Sequence, residues 1–156
     1  MERTLIILKP DAIQRNLIGE IISRFEKKGL KIVGLKMVEL DDLKLDEHYA
    51  HHKDKPFFGN LKNFMKSSPV LLLVLEGYDV VKAVRIIVGS TKPMEADSGT
   101  IRGDLAMTNW NLVHASDSLE TSETEIKRFF KDDELFDYYK GNWEMVYEEE
   151  FGKNKR

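Results

Sequence analysis

Val70-Leu71-Leu72-Leu73-Val74-Leu75, closed by Gly77, is an unbroken apolar run with no helical period, and it reads as a strand buried along its whole length. A second run of this kind opens the chain: Thr4-Leu5-Ile6-Ile7-Leu8-Lys9, stopped by Pro10. Residues 31–40 alternate instead, with Ile32, Gly34, Lys36 and Val38 on one side and Val33, Leu35, Met37 and Glu39 on the other, a further strand. Leu112-Val113 is a short apolar segment leading into His114. Helices fill the intervals. Residues 19–28 place Ile21, Ile22 and Phe25 on one face and end at Gly29. Asp41 and Asp42 offer caps for a helix through about residue 53, and another is expected over 57–66. Asp79 offers a cap for 80–88, and Ser118 or Ser122 for a helix carrying Ile126, Phe129 and Phe130. Residues 89–103 hold no period and collect Gly, Pro, Ser and Asp, the composition of a functional or mobile loop. One sheet with helices packed on it follows, an α/β or α+β sandwich. No repeat or linker divides the chain, so residues 1–156 form one domain, with 152–156 expected to fray.

The chain has 156 residues, 42% of them hydrophobic, enough for one core without staples. It has no cysteine, which excludes disulfides, a thiol nucleophile and a zinc ribbon. With 24 basic and 27 acidic side chains the net charge is −3, which argues against nucleic-acid coating and anionic membrane surfaces but not against a basic pocket for a small polyanion. No apolar run is long enough for a signal-peptide core or a membrane span, so a cytoplasmic protein is expected.

Several local patterns carry less than they suggest. Gly29-Leu-Lys-Ile-Val-Gly34 has phosphate-loop spacing, but Leu35-Lys36 follows where Lys-Ser/Thr belongs, and the interval reads as strand. Arg102-Gly103-Asp104 spells an adhesion tripeptide in a chain without a secretory signal. His48, His51 and His52 cluster, with His48 and His52 one turn apart on a helix, yet no matching further ligand accompanies them, and the solvated-face reading is preferred.

Asn111-Leu-Val-His114-Ala-Ser-Asp-Ser118 holds the richest chemistry, a histidine at a strand end among small polar residues. Such a histidine can be base, metal ligand or nucleophile. With no cysteine and no clear Ser/His/Asp order, phosphoryl acceptance by the imidazole is chemically attractive.

That segment resembles the active-site signature of nucleoside diphosphate kinases, and further blocks match in order and spacing across about residues 2–147. They are Arg3-Thr4-Leu-Ile-Ile-Leu-Lys9-Pro10-Asp11, Gly19-Glu20 with Arg24-Phe25-Glu26, His48-Tyr49, Pro56-Phe57-Phe58, Ser68-Pro69-Val70 and Gly99-Thr100-Ile-Arg102-Gly103-Asp104. The resemblance implies a ferredoxin-like α+β sandwich, a four-stranded antiparallel sheet covered by helices. It implies transfer of the γ-phosphoryl group from a nucleoside triphosphate to a nucleoside diphosphate by a ping-pong route, with His114 as the nucleophile carrying a phosphohistidine. Lys9, Arg85, Thr91 and Arg102 match the family's phosphate-binding positions, and Asn111 the contact to the ribose 3′-hydroxyl. Phe57 matches the aromatic on which the base stacks, with Leu61 one turn on; stacking reads a π-face and so tolerates any base. Tyr49 matches the tyrosine beside the transferred group. Glu125 matches the carboxylate that orients the imidazole, and Ser116 supports that carboxylate or the phosphohistidine. The resemblance also implies Mg²⁺ carried on the nucleotide's phosphates, no metal cage in the protein, and a homo-oligomer, hexamer or tetramer. Retention of the fold without turnover is an alternative, against which intact His114, Lys9 and Arg102 weigh.

The chain departs from the family pattern in two places. Leu-Ala-Met-Thr-Asn-Trp between Asp104 and Asn111 is one residue short, with Asn109-Trp110 where Gly-Arg is usual, and Ser98 stands where a proline is common.

Overall fold

The computed structural model describes residues 1–147, so the tail expected to fray, 152–156, lies outside the described residues. At its centre is β3 (Val70–Gly77), every residue of which is buried. Its neighbour β1 (Glu2–Leu8) runs antiparallel to it from Glu2 opposite Gly77 to Leu8 opposite Leu71. On the other side of β3 lies β2 (Lys31–Val38), and on the other side of β1 lies β4 (Val113–Ala115), both antiparallel to their neighbours. The sheet order β2-β3-β1-β4 has helices following β1 and β3, the ferredoxin-like α+β arrangement.

The unbroken apolar runs follow from this placement. β1 and β3 occupy the middle of the sheet, and helices cover both of its faces. On one face Ile6, Leu8, Leu71, Leu73 and Leu75 meet Ile21 and Phe25 of α2 (Ile18–Lys27) and Val80, Val84 and Val88 of α5 (Val80–Val88). On the other, Leu5, Ile7, Val70, Leu72 and Val74 meet Leu45 of α3 (Asp42–His48), Met65 of α4 (Phe58–Lys66) and Ile126 and Phe129 of α7 (Leu119–Phe129). The edge strand alternates less cleanly than its sequence suggests. A register shift between Ile32 and Gly34 breaks the period, and a Cβ at Gly34 would meet Leu135 at 2.8 Å and Phe130 at 3.0 Å.

Several boundaries differ from the sequence expectation for local reasons. Pro10 both stops β1 and starts α1 (Pro10–Gln14), where its fixed φ suits a first helical turn. The helix expected through residue 53 ends at His48, and Ala50–His52 continues as a 3-10 turn. Asp79 does not cap α5: it is left-handed at φ +48°, and Glu2 Oε2 accepts from the Val80 amide at 3.2 Å. The loop after α5 contains a 3-10 turn, Pro93–Glu95, and α6 (Ile101–Leu105), capped by Thr100, whose Oγ1 accepts from the Gly103 amide.

Of the two serines offered for α7, Ser118 is the cap; its Oγ accepts from the Thr121 amide at 3.1 Å. Ser122 is buried and donates to Thr4 Oγ1 at 3.2 Å, tying α7 to β1. Replacing Ser118 by alanine is expected to lower the unfolding free energy by about 1 kcal/mol, and by glycine only about a few tenths. Equilibrium urea melts of the parent and the two variants measure this, and an alanine variant as stable as the parent would show that the hydroxyl does not hold the turn.

Candidate active site

His114 sits in the middle of β4, opposite Ile7 of β1, and its side chain is one-fifth exposed in a cleft of about 1470 Å³. Its Nε2 lies 2.9 Å from Glu125 Oε2, on α7, and Ser116 Oγ donates to the same oxygen at 2.6 Å. Burial works against charge on Glu125, yet the hydrogen bonds from His114 and Ser116 and the field of the imidazole hold its pKa below the usual carboxylate range. An ionised carboxylate can only accept, so Nε2 carries the hydrogen and Nδ1 is the ring nitrogen left for chemistry. Ser116 is fully buried and is not among the residues that line the cleft.

The floor of the cleft is cationic. Lys9, at the end of β1, donates from Nζ to Asn111 Oδ1 at 2.8 Å, and Asn111 Nδ2 donates to the Thr91 carbonyl at 2.8 Å. Burial, with the charge of Arg102 adding to it and Asp11 opposing, pushes Lys9 down to about 8. Arg102 is buried, and its Nε, Nη1 and Nη2 donate to the carbonyls of Asn111, Gly89 and Val113. A guanidinium has five N–H groups, so this pinning leaves it two for a ligand. Burial and the field of Arg85 lower Arg102 to about 10, which leaves it charged at neutral pH. Arg85 is half exposed at the mouth, where its Nη1 donates to Asp117 Oδ1 at 2.6 Å.

The walls are aromatic and apolar. Phe57, just before α4, is half exposed, and Leu61 follows one turn later. Tyr49 is buried with its hydroxyl unpartnered, and burial raises its pKa. The three clustered histidines separate. His51 and His52 face each other at 4.0 Å, while His48 is buried with its ring edge-on to His114 at 4.7 Å. His48, His114 and Glu125 are the group whose ligand atoms approach within 4.8 Å among the described residues. Arg128 Nη1 donates to His48 Nδ1 at 3.1 Å, however, so the His48 hydrogen sits on Nε2 and no lone pair faces the other two.

Ten of the eleven side chains singled out from the sequence line this one cleft, though they come from distant segments, and Ser116 backs it. Three contributors were not singled out: Asp11, His48 as a neighbour of His114, and Arg128. Asp11 stood in the quoted Lys9-Pro10-Asp11 string, and what it does depends on a residue 101 positions away. Its Oδ2 accepts from the Leu112 amide at 3.0 Å. Leu112 is fully buried with φ +70°, and the Val113 amide donates to the Asn111 carbonyl at 2.8 Å across it, which makes a strained γ-turn. Asp11→Ala would leave the Leu112 amide unpaired and is expected to destabilise the protein by about 1–3 kcal/mol. Asp11→Asn, which can still accept, should lose less and keep more activity. Thermal melts and initial rates on both variants test this, and equal losses would remove the role given to the bond.

Comparison with known proteins agrees with this geometry. The family model described as nucleoside diphosphate kinase matches residues 2–135. A nucleoside diphosphate kinase of Parabacteroides distasonis is 55% identical over 148 residues, covering 94% of this chain and 97% of that protein. One from Staphylococcus saprophyticus is 52% identical over 149 residues, covering 95% of this chain and 100% of its own length. Among solved structures, a halophilic nucleoside diphosphate kinase from Halobacterium salinarum in complex with CDP superposes with a TM-score of 0.92 at 47% identity, covering 94% of this chain and 99% of that one. The matches to these relatives run over nearly the whole of both partners. The chain belongs to the nucleoside diphosphate kinase family, phosphotransferases that move the γ-phosphoryl group of a nucleoside triphosphate to a nucleoside diphosphate.

Proposed function

We propose that the transfer runs in two half-reactions through Nδ1 of His114. The observation that carries this reading is the bond from His114 Nε2 to Glu125, which fixes the tautomer and leaves the opposite nitrogen as the nucleophile. In the first half-reaction the Nδ1 lone pair attacks the γ-phosphorus. The bond from that phosphorus to the β,γ-bridging oxygen breaks, and the nucleoside diphosphate leaves with the electron pair. The imidazole of the resulting phosphohistidine gains positive charge, which Glu125 stabilises through Nε2–H. An oxygen of an incoming nucleoside diphosphate's β-phosphate then attacks the same phosphorus, the P–Nδ1 bond breaks, and its electron pair returns to Nδ1, which regenerates neutral His114.

Phosphoryl transfer asks mainly for positioning and positive charge. In this reading Arg85, Thr91 and the two remaining N–H groups of Arg102 hold the phosphates. Lys9 and Asn111 meet the ribose 3′-hydroxyl and the phosphates beside it, and Tyr49 presents its unpartnered hydroxyl beside the transferred group. The base lies against Phe57 and Leu61. Mg²⁺ enters as part of the substrate, on the nucleotide's phosphate oxygens. Two carboxylates of the cleft support this assignment, since Asp117 is paired with Arg85 and Glu125 with His114 and Ser116.

The enzyme acts as a homo-oligomer, a hexamer or tetramer, in the cytoplasm. Half-exposed Leu35 and Met37 on edge strand β2 support assembly, and sedimentation velocity measures it. No described helix is long and apolar enough to cross a membrane, and the net charge of −3 speaks against nucleic acid as a partner.

Incubation with γ-labelled ATP and Mg²⁺ should give an acid-labile, alkali-stable protein phosphate that ADP or GDP discharges and that His114→Gln abolishes. Label persisting in His114→Gln would overturn the mechanism. The lowered pKa of Lys9 adds a pH signature. Its charge is present below about 8 and lost above it, so kcat/KM, which reports the free enzyme, should fall above about pH 8. Bound phosphates favour the charged form and move the corresponding limb of kcat upward. Lys9→Arg keeps its charge throughout, so whatever activity it retains should lack the limb. A pH profile unaltered by Lys9→Arg would assign the limb elsewhere.

A further inference from the structure

We propose that Trp110 is a specificity-determining wall of the cleft, an aromatic surface beside the base of the bound nucleoside diphosphate that favours purines over pyrimidines. The proposal rests on the cleft being the nucleotide site and names a residue that reading leaves without a role.

Phe57, which caps α4, and Leu61 and Phe64 on it fall at i, i+4 and i+7, one stripe lining the cleft. Trp110, from the segment before Asn111, also lines the cleft and stacks on Phe64 with ring centroids 4.7 Å apart and planes 15° from parallel. One face of the indole is therefore taken, yet the residue is 61% exposed. The open surface lies on the cleft that Phe57 and Leu61 also line. An indole of this kind is a stacking surface held at fixed height.

The position of Trp110 is set by its neighbours on both sides. Asn111, the next residue, is buried and bonded to both Lys9 and Thr91. On the other side, the Trp110 amide donates to Thr108 Oγ1 at 3.3 Å. A residue anchored to the contacts of the sugar and phosphate site cannot drift from the base that the sugar carries. Because this segment is one residue short and reads Asn109-Trp110 where the family pattern has Gly-Arg, the wall belongs to this chain and not to the pattern. The larger purine ring system reaches further along the stripe toward the Trp110–Phe64 pair than a pyrimidine does. Trp110 accordingly adds to binding of the base and leaves the reacting phosphorus untouched.

Trp110 and Trp143 are the chain's 2 tryptophans, so Trp143→Phe leaves Trp110 as the sole emitter. Should that variant fail to fold, the difference in emission between the parent and Trp110→Leu serves as the signal. ADP, GDP and CDP are titrated against it, with inorganic pyrophosphate in parallel. The nucleotides should quench Trp110 and pyrophosphate should not. Trp110→Leu should raise KM for GDP about fivefold, equivalent to about 1 kcal/mol of stacking, and KM for CDP less, with kcat within about twofold. Trp110→Phe should recover most of the loss. Quenching by pyrophosphate equal to that by nucleotides would overturn the assignment, because it reports loop movement and not base contact. So would unchanged emission and KM in a protein that transfers phosphate normally, or a changed sedimentation coefficient in Trp110→Leu with KM unaltered, which would make the residue a subunit contact. A parent protein that transfers phosphate to no nucleoside diphosphate would overturn the underlying reading and this one together.

Discussion

The backbone at Leu112 is held in a left-handed conformation that a leucine avoids, and the cleft is arranged around the bonds that hold it. Asp11 accepts from the Leu112 amide, and the Leu112 carbonyl accepts from the Lys9 amide at 2.8 Å. Strain of this kind typically costs about 1–3 kcal/mol and survives only where its surroundings over-determine it. Here two hydrogen bonds and complete burial of the leucine side chain do so. The turn sets the carbonyls of Asn111 and Val113, on either side of Leu112, where Arg102 binds both. It also sends the Asn111 side chain to Lys9 and starts β4 one residue before His114. His114, Arg102 and Asn111 thus take their positions from one distorted residue.

The electrostatic arrangement shares that economy. A molecule of net charge −3 gathers Lys9, Arg85 and Arg102 around one cleft, and the lowered pKa values of Lys9 and Arg102 record what that gathering costs in desolvation and mutual repulsion. The partial answers within the protein are Asp11 near Lys9 and Asp117 on Arg85. In the proposed reading a polyphosphate would supply the rest and relieve the repulsion among these cations, and the carbonyl pinning of Arg102 would leave little side-chain ordering to be done on binding. Arg85 differs, since its exposed pair with Asp117 must open or rearrange for a phosphate oxygen to take its place.

Much of this could be read from the chain because the signals were local. The runs at 4–9 and 70–75 announced the two central strands, since a strand covered on both faces has no polar side to show. The His114 segment stood out as a histidine among small polar residues, and the role of nucleophile is what the family resemblance implies for it. What stayed hidden depended on partners far away in sequence. The reach of Glu2 to the Val80 amide displaced Asp79 as the cap of α5, and propensity carries no information about a residue 78 positions distant. The γ-turn at Leu112 was invisible for the same reason, since nothing in Asn-Leu-Val favours a positive φ until Asp11 and Lys9 are in place. Strand order came from family resemblance, because alternation and apolar runs give the faces of a strand and not its neighbours.

His48 illustrates how a residue type misleads until its hydrogen bonds are known. As one of three close histidines it read as part of a solvated helix face. In the fold it is buried edge-on to His114, its Nδ1 accepts from Arg128, and burial with the field of His114 pushes its pKa down to about 3. It therefore stays uncharged at any pH at which the enzyme works. A second cation at that distance would compete with His114 for Glu125 and, in the proposed mechanism, would oppose the positive charge that the His114 imidazole gains. A neutral ring avoids both effects while still filling the space between α3 and His114. Arg128 donates to that ring's Nδ1, so the bond that fixes the His48 tautomer also places a guanidinium one ring away from His114.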